Sequence, residues 1–212
     1  MNHLNVDRVT VAFDDVTVLA DASLSLERGE VVALLGASGS GKSTLLRVVA
    51  GVIAPDAGSV ELAGSDITTL PTHQRGVGMV FQDNQLFPHL SVGDNVAFGL
   101  KMAGVNRAGR RKQATAWLRR VGLGALADRS VSDLSGGEAK RVAVARTLAT
   151  GPDVVLLDEP LTGLDRELHD QLVSELAALL SDLSVTAILV THDHEEAETI
   201  ATRVVQMSDI NG

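Results

Sequence analysis

Val31-Val32-Ala33-Leu34-Leu35-Gly36-Ala37-Ser38-Gly39-Ser40-Gly41-Lys42-Ser43-Thr44 opens with five apolar residues and runs straight into glycine. The apolar run reads as a fully buried strand. Ser43 to Ala50 reads as a helix, with Gly51 as its stop. Between the two, Gly36 to Thr44 matches G-x-x-x-x-G-K-[ST] in the strand–helix context that gives the pattern meaning. Glycines such as Gly36, Gly39 and Gly41 let the backbone wrap a phosphate with its N–H groups inward. Ser38 and Thr44 lie in the same wrap, and the following helix offers its positive end to an anion. Lys42 is placed to reach β- and γ-phosphate oxygens, and the Ser43 hydroxyl to ligate Mg²⁺. A glycine-rich turn that binds nothing is the bland alternative, which the flanking strand and helix disfavour.

Outward from this stretch, short apolar runs alternate with helical patterns. Pro55 to Gly58 is a turn, and Ser59 to Leu62 then looks like a hairpin strand. Val77 to Phe81, Val154 to Leu157 and Val185 to Val190 read as further buried strands. Helical patterns cover Leu164 to Leu180 and Glu195 to Ala201. The alternation predicts an α/β fold with a mostly parallel sheet covered on both faces. From about Ser91 to Ala149 the patterns are helical throughout. Arg107 to Val121 is a basic amphipathic helix carrying the single tryptophan, Trp117. The stretch reads as a helical lobe inserted into the α/β core, and its basic run as a solvated face.

Composition excludes several classes. The 212 residues suffice for one sizeable core, or one core with a small lobe. No cysteine is present, so disulfides and thiolate metal sites are ruled out. A formal net charge of -9 argues against general nucleic-acid binding, which needs Lys and Arg to neutralise phosphates. The N-terminus has no basic region followed by an apolar stretch, so no signal peptide is expected. The apolar runs fall far short of the ~20 residues of a membrane span. Any membrane role is expected to come through a partner.

Two more motifs carry chemistry. Val154 to Leu157 ends in Asp158-Glu159-Pro160. Side chains alternate along a strand, so the two carboxylates share a direction only if the strand has ended there. Asp158 is placed to hold Mg²⁺, and Glu159 to orient and deprotonate an attacking water. Leu134-Ser135-Gly136-Gly137-Glu138 precedes a helical stretch to Ala149. Small residues at a helix start make a second anion site. Ser135 with Glu138 three residues on also makes a capping box, and capping and anion binding use the same end. Two phosphate loops in one chain mean two phosphates, or one loop serving a nucleotide held by another copy.

At this point the chain resembles the nucleotide-binding subunit of an ATP-binding cassette transporter, over nearly its whole length. Gly36 to Thr44 is similar to the Walker A loop, Val154 to Glu159 to the Walker B strand, and Leu134 to Glu138 to the family signature. Gln82 matches the Q-loop glutamine, Leu164-Asp165 the end of the D-loop, and His192 the switch histidine. Phe13 falls where the family places an aromatic that stacks on adenine. There are departures. Glu138 stands where glutamine is usual, Thr162-Gly163 where the D-loop usually has Ser-Ala, and Phe13 where Tyr is commoner. Taken singly, Phe13 could be a core aromatic and His192 a structural histidine.

The resemblance implies a single ATPase domain over residues 1–212. Its P-loop core would be formed by 1–82 and 150–212, with an N-terminal antiparallel β portion, and its helical subdomain by about 83–149. It implies ATP and Mg²⁺ as ligands, Glu159 as general base, His192 at the γ-phosphate, and Ser43, Gln82 and Asp158 at the metal. Two copies would face head to tail as a homodimer. Each nucleotide would then lie between Walker A of one copy and the Ser135-Gly136-Gly137 loop of the other. The partners implied are integral-membrane permease subunits, docked on the helical lobe, and a separate substrate-binding protein. The location implied is the cytoplasmic face of the membrane. The segments Thr69 to Arg75, Val77 to Gln82 and Leu86 to Val92 resemble importer subunits for polyamines, ferric iron, thiamine, sulfate and sugars. The end at Gly212 resembles the shorter, thiamine-type members.

Overall fold

The computed structural model describes residues 2–14 and 16–212. Along the chain run β1 (Leu4–Phe13), β2 (Val16–Leu26), β3 (Val31–Leu35), α1 (Lys42–Ala50), β4 (Ala57–Leu62), β5 (Ser65–Asp66) and β6 (Val77–Val80). Then come α2 (Val92–Met102), α3 (Arg107–Arg120), α4 (Gly136–Leu148) and β7 (Val154–Asp158). The last elements are α5 (Arg166–Asp182), β8 (Ala187–Val190), α6 (His194–Ile200), β9 (Arg203–Gln206) and α7 (Met207–Ile210). Contacts divide the chain into two units. One comprises residues 1–79, 153–159 and 173–212, the other 80–152 and 160–172.

The first unit is built on two sheets. Five strands align in the order β6-β7-β8-β3-β9, and the pairs β7–β8, β8–β3 and β3–β9 are parallel. Every residue of β3, β7 and β8 is buried, as expected of strands covered on both faces. The second sheet, β2-β1-β4-β5, is antiparallel. One apolar core joins both sheets to α1 through residues such as Leu4, Leu24, Val60, Leu45, Leu156 and Ile188.

The sequence patterns located β3, β6, β7 and β8, passed over β9, and missed the ends of several elements. β8 begins at Ala187 rather than Val185, because Val185 N closes on Leu180 O at 3.0 Å at the end of α5, and the Thr186 hydroxyl accepts from Gly29 N at 2.9 Å. α5 begins at Arg166 rather than Leu164, because Asp165 caps it: its Oδ1 accepts from Leu168 N at 3.1 Å. β1 escapes a period-2 reading because its alternation breaks. Leu4, Val6, Val9 and Val11 face the core, and the register with β2 shifts between Val6 and Val9. Arg8, at φ +46°, takes up the extra residue of this bulge.

The second unit is helical, and among its described residues Ser91 and Ser130 form an isolated β-bridge. Asn95, fully buried in α2, ties down the segment before it. Its Oδ1 accepts from Phe87 N at 2.8 Å, and its Nδ2 donates to the carbonyls of Phe87, Leu90 and Ser91. On α3 the buried positions are Ala114 and Leu118, one turn apart, while most of its basic residues are exposed.

Leu156 lies at the middle of β7 with no exposed surface. Leu156→Ala is expected to cost about 2–5 kcal/mol in urea unfolding through lost contacts and a residual cavity. A cost under about 1 kcal/mol would mean that this strand is not central to the core.

Candidate functional site

The phosphate loop is shaped by backbone first. Gly41 caps α1 in the left-handed region at φ +99°, and a Cβ there would lie 2.9 Å from the Val18 carbonyl. No other residue fits both demands, so the glycine read from the sequence has a steric reason. Lys42 is 6% exposed. Its ammonium donates to the carbonyls of Gly36 and Ala37, each at 2.7 Å, and lies 3.5 Å from Ser40 Oγ. The loop thus holds its own cation at the position where the helix start is positive.

Ser43 lies in the first turn of α1, and Asp158 at the end of β7. The Ser43 hydroxyl donates to Asp158 Oδ1 at 2.8 Å. Two hard oxygens from different elements meet there, a donor set that suits Mg²⁺, which takes one or two protein oxygens and fills its octahedron with water and phosphate. Asp158 is buried and registers opposite Val190 of β8.

Glu159 directly follows, with φ +46°, a left-handed backbone that a non-glycine residue rarely adopts. Its N–H donates to the Val190 carbonyl at 2.9 Å, which holds the turn. The strand therefore ends between the two carboxylates, as the sequence required if both were to serve one site. His192 Nδ1 lies 3.7 Å from Glu159 Oε1. The Glu159 side chain is 25% exposed and that of His192 67%. A carboxylate and an imidazole thus stand side by side with access to water.

The turn bearing His192 is braced by residues that sequence reading passed over. Thr191 Oγ1 donates to Glu196 Oε2 at 2.8 Å, both side chains being buried. Thr191 Oγ1 also accepts from Asp193 N at 3.1 Å. Asp193 Oδ1 caps α6, accepting from Glu195 N at 2.8 Å and Glu196 N at 3.1 Å. Sequence reading named neither the Asp193 cap nor the Thr191–Glu196 pair; an Asp just before the helical run at Glu195 is the signal that could have found the former.

Phe13, at the end of β1, is 46% exposed. That exposure favours a contact face over the core alternative. In the helical unit, Ser135 caps α4 in a complete capping box. Its Oγ accepts from Glu138 N at 3.3 Å, and Glu138 Oε2 accepts from Ser135 N at 2.8 Å. Gly136 and Gly137 form the first turn of α4, and Leu168 of α5 packs against Gly137. Gln82 is exposed just beyond β6. Arg146 of α4, missed in the sequence, secures the segment after it, donating to Gln85 O at 2.7 Å and Asn84 O at 3.0 Å. Its guanidinium also lies 5.5 Å over the Phe87 ring. Lys42, Ser43, Asp158, Glu159 and His192 are thus brought together in the first unit. Gln82, Ser135, Gly136, Gly137 and Asp165 belong to the second.

Residues 19–162, two thirds of the chain, match the family model described as ABC transporter. The chain belongs to the ABC transporter family. Among relatives of this ABC chain is an Fe(3+) ions import ATP-binding protein of Streptomyces coelicolor, 50% identical over 206 residues, 97% of the chain and 59% of the relative. A sulfate/thiosulfate import ATP-binding protein of Chromobacterium violaceum is 48% identical, over 97% of the chain and 56% of the relative. A spermidine/putrescine import ATP-binding protein of Fusobacterium nucleatum is 41% identical, over 97% of the chain and 54% of the relative. The ABC chain therefore spans between half and three fifths of the length of these relatives.

The Glu138 carboxyl is held below the usual glutamate range, first by the Ser135 N–H and then by the Ser135 hydroxyl. A depressed folded value means that the bond stabilises above the unfolded pKa and is lost as pH falls through the folded one. Glu138→Gln keeps a capping box without a titrating group. The thermal midpoint of the wild type should therefore drop faster than that of Glu138→Gln as pH falls from about 5 to about 3. Equal slopes would remove Glu138 from the acid response.

Proposed function

We propose that the chain binds and hydrolyses ATP with Mg²⁺, and that hydrolysis powers import of a small solute through a permease. The observation that carries this is the convergence of Lys42, Ser43, Asp158, Glu159 and His192 at the ends of β3, β7 and β8, with Ser43 bonded to Asp158 at 2.8 Å. Phosphoryl transfer needs positioned charge more than covalent chemistry, and these groups supply it.

Each residue has a role in this reading. The N–H groups from Gly36 to Thr44 and the Lys42 ammonium grip the phosphates. Lys42 exchanges its two loop carbonyls for phosphate oxygens. Ser43 and Asp158 would hold Mg²⁺, with Gln82 as a further oxygen ligand, and the ion would supply charge neutralisation for phosphoryl transfer. Glu159 takes the proton of the attacking water as its oxygen bonds to Pγ and the bond from Pγ to the bridging oxygen breaks. His192 orients the water and the γ-phosphate. Phe13 stacks on the base.

The second anion site supports a reading in which two copies pair. The start of α4 at Ser135-Gly136-Gly137 presents N–H groups and the positive helix end, and this chain's own phosphate loop is complete without it. In a head-to-tail homodimer it closes over the nucleotide of the opposite copy, and Asp165 lies at the same seam. ATP favours the closed pair and hydrolysis releases it. The helical unit docks the permease, which places the chain on the cytoplasmic face of the membrane. The import role draws on the names of the relatives. No helix among the described residues is long and apolar enough to cross a membrane. Cargo choice then belongs to the permease and a separate binding protein.

Glu159→Gln preserves shape and removes the base. With ATP and Mg²⁺ it should run as a dimer on a sizing column while hydrolysis falls by roughly 10²–10⁴-fold. Normal turnover in that variant would take Glu159 out of the base role. Ser135→Arg should abolish hydrolysis while nucleotide binding to the same chain persists, measured with a fluorescent ATP analogue. An unchanged rate would favour a nucleotide site completed within one chain.

A further inference from the structure

Arg75 lies between the strands β5 and β6 and is 4% exposed. Its guanidinium meets backbone carbonyls. Nη1 donates to Val48 O at 2.8 Å and Val49 O at 3.1 Å, Nε to Leu70 O at 2.7 Å, and Nη2 to Thr68 O at 2.5 Å. Burial lowers its pKa below the usual arginine value, with Asp66 opposing that shift. Val48 and Val49 belong to the last turn of α1, where the helix end is negative; the Val48 carbonyl also accepts from Gly51 N at 3.0 Å. A buried cation suits that end. Gly51, the left-handed C-cap of α1, leaves the space: a Cβ there would collide with the Arg75 side chain.

The next residue completes a joint. The Gly76 carbonyl accepts from Asp153 N at 2.8 Å, and Asp153 leads directly into β7. Arg75 and Gly76 therefore tie the tail of α1 to the foot of β7. The opposite ends of the same two elements carry Ser43 and Asp158, hydrogen-bonded at 2.8 Å, and Glu159 follows. All of these residues lie in one unit. We infer that Arg75 is a positioning residue for hydrolysis, setting α1 against β7 so that Ser43 lines up with Asp158 and Glu159. The inference rests on the roles proposed above for those three residues.

Grip and turnover separate in this arrangement. The phosphate grip is one continuous loop from Gly36 to Thr44, held by bonds from Lys42 that do not involve Arg75. Turnover needs two elements in fixed register, and small misplacements are costly there. Charge alone does not replace Arg75, because an ammonium cannot reach all four carbonyls in the plane of a guanidinium.

The test measures ATP hydrolysis by the full chain, with kcat normalised to the folded fraction. In Arg75→Ala, kcat should fall about tenfold or more while KM stays within about threefold. Millimolar guanidinium ion added to Arg75→Ala should recover part of the rate and leave the wild type unchanged. Arg75→Lys should show the same split, more weakly, and serves if the alanine variant does not fold. A folded variant with wild-type kcat, a loss confined to KM, or no rescue by guanidinium would overturn the inference. A wild type with no hydrolysis would instead sink the functional reading on which it rests.

Discussion

One hydrogen bond, Ser43 Oγ to Asp158 Oδ1, joins the start of α1 to the end of β7, beside the central strand β8 of the parallel sheet. Geometry follows from it in sequence. Asp158 registers against Val190, Glu159 N–H closes on the Val190 carbonyl, and two residues later His192 stands 3.7 Å from Glu159. The cluster is therefore a property of strand register. A slip of one residue between β7 and β8 would turn every side chain to the other face and part Glu159 from His192.

Much of this was written plainly in the sequence. The run Val31 to Leu35 followed by glycines gave the strand, the loop and α1, because glycine spacing and buried apolar runs are strong local signals. The capping box at Ser135 and Glu138 is equally local, since its two partners sit three residues apart. Residues whose roles depend on distant partners were not legible. Arg146 reaches back about sixty positions to Asn84 and Gln85, and Arg75 reaches back to Val48. Nothing in the neighbourhood of either arginine announces a carbonyl partner. β1 was hidden for another reason: one bulge at Arg8 reverses the alternation on which strand recognition relies.

Glu159 shows where local preference and the site disagree. A glutamate at φ +46° carries backbone strain of about 1–3 kcal/mol, which the surrounding structure must offset. The bond to Val190 and the braced Thr191–Glu196 turn beside it supply the restraint. The strain is localised at the residue whose carboxylate must leave the strand direction of Asp158. A relaxed extended backbone would continue the alternation and send the two carboxylates to opposite faces.

The ammonium of Lys42 has consequences for the release of any anion that the loop takes up. With the carbonyls of Gly36 and Ala37 at 2.7 Å, the side chain has partners waiting whenever an anion departs. Its departure does not strand a bare buried cation, so release forfeits less than a count of the anion's contacts suggests. The same competition weakens every arriving ligand equally. Such a loop trades tenacity for ready release of what it holds.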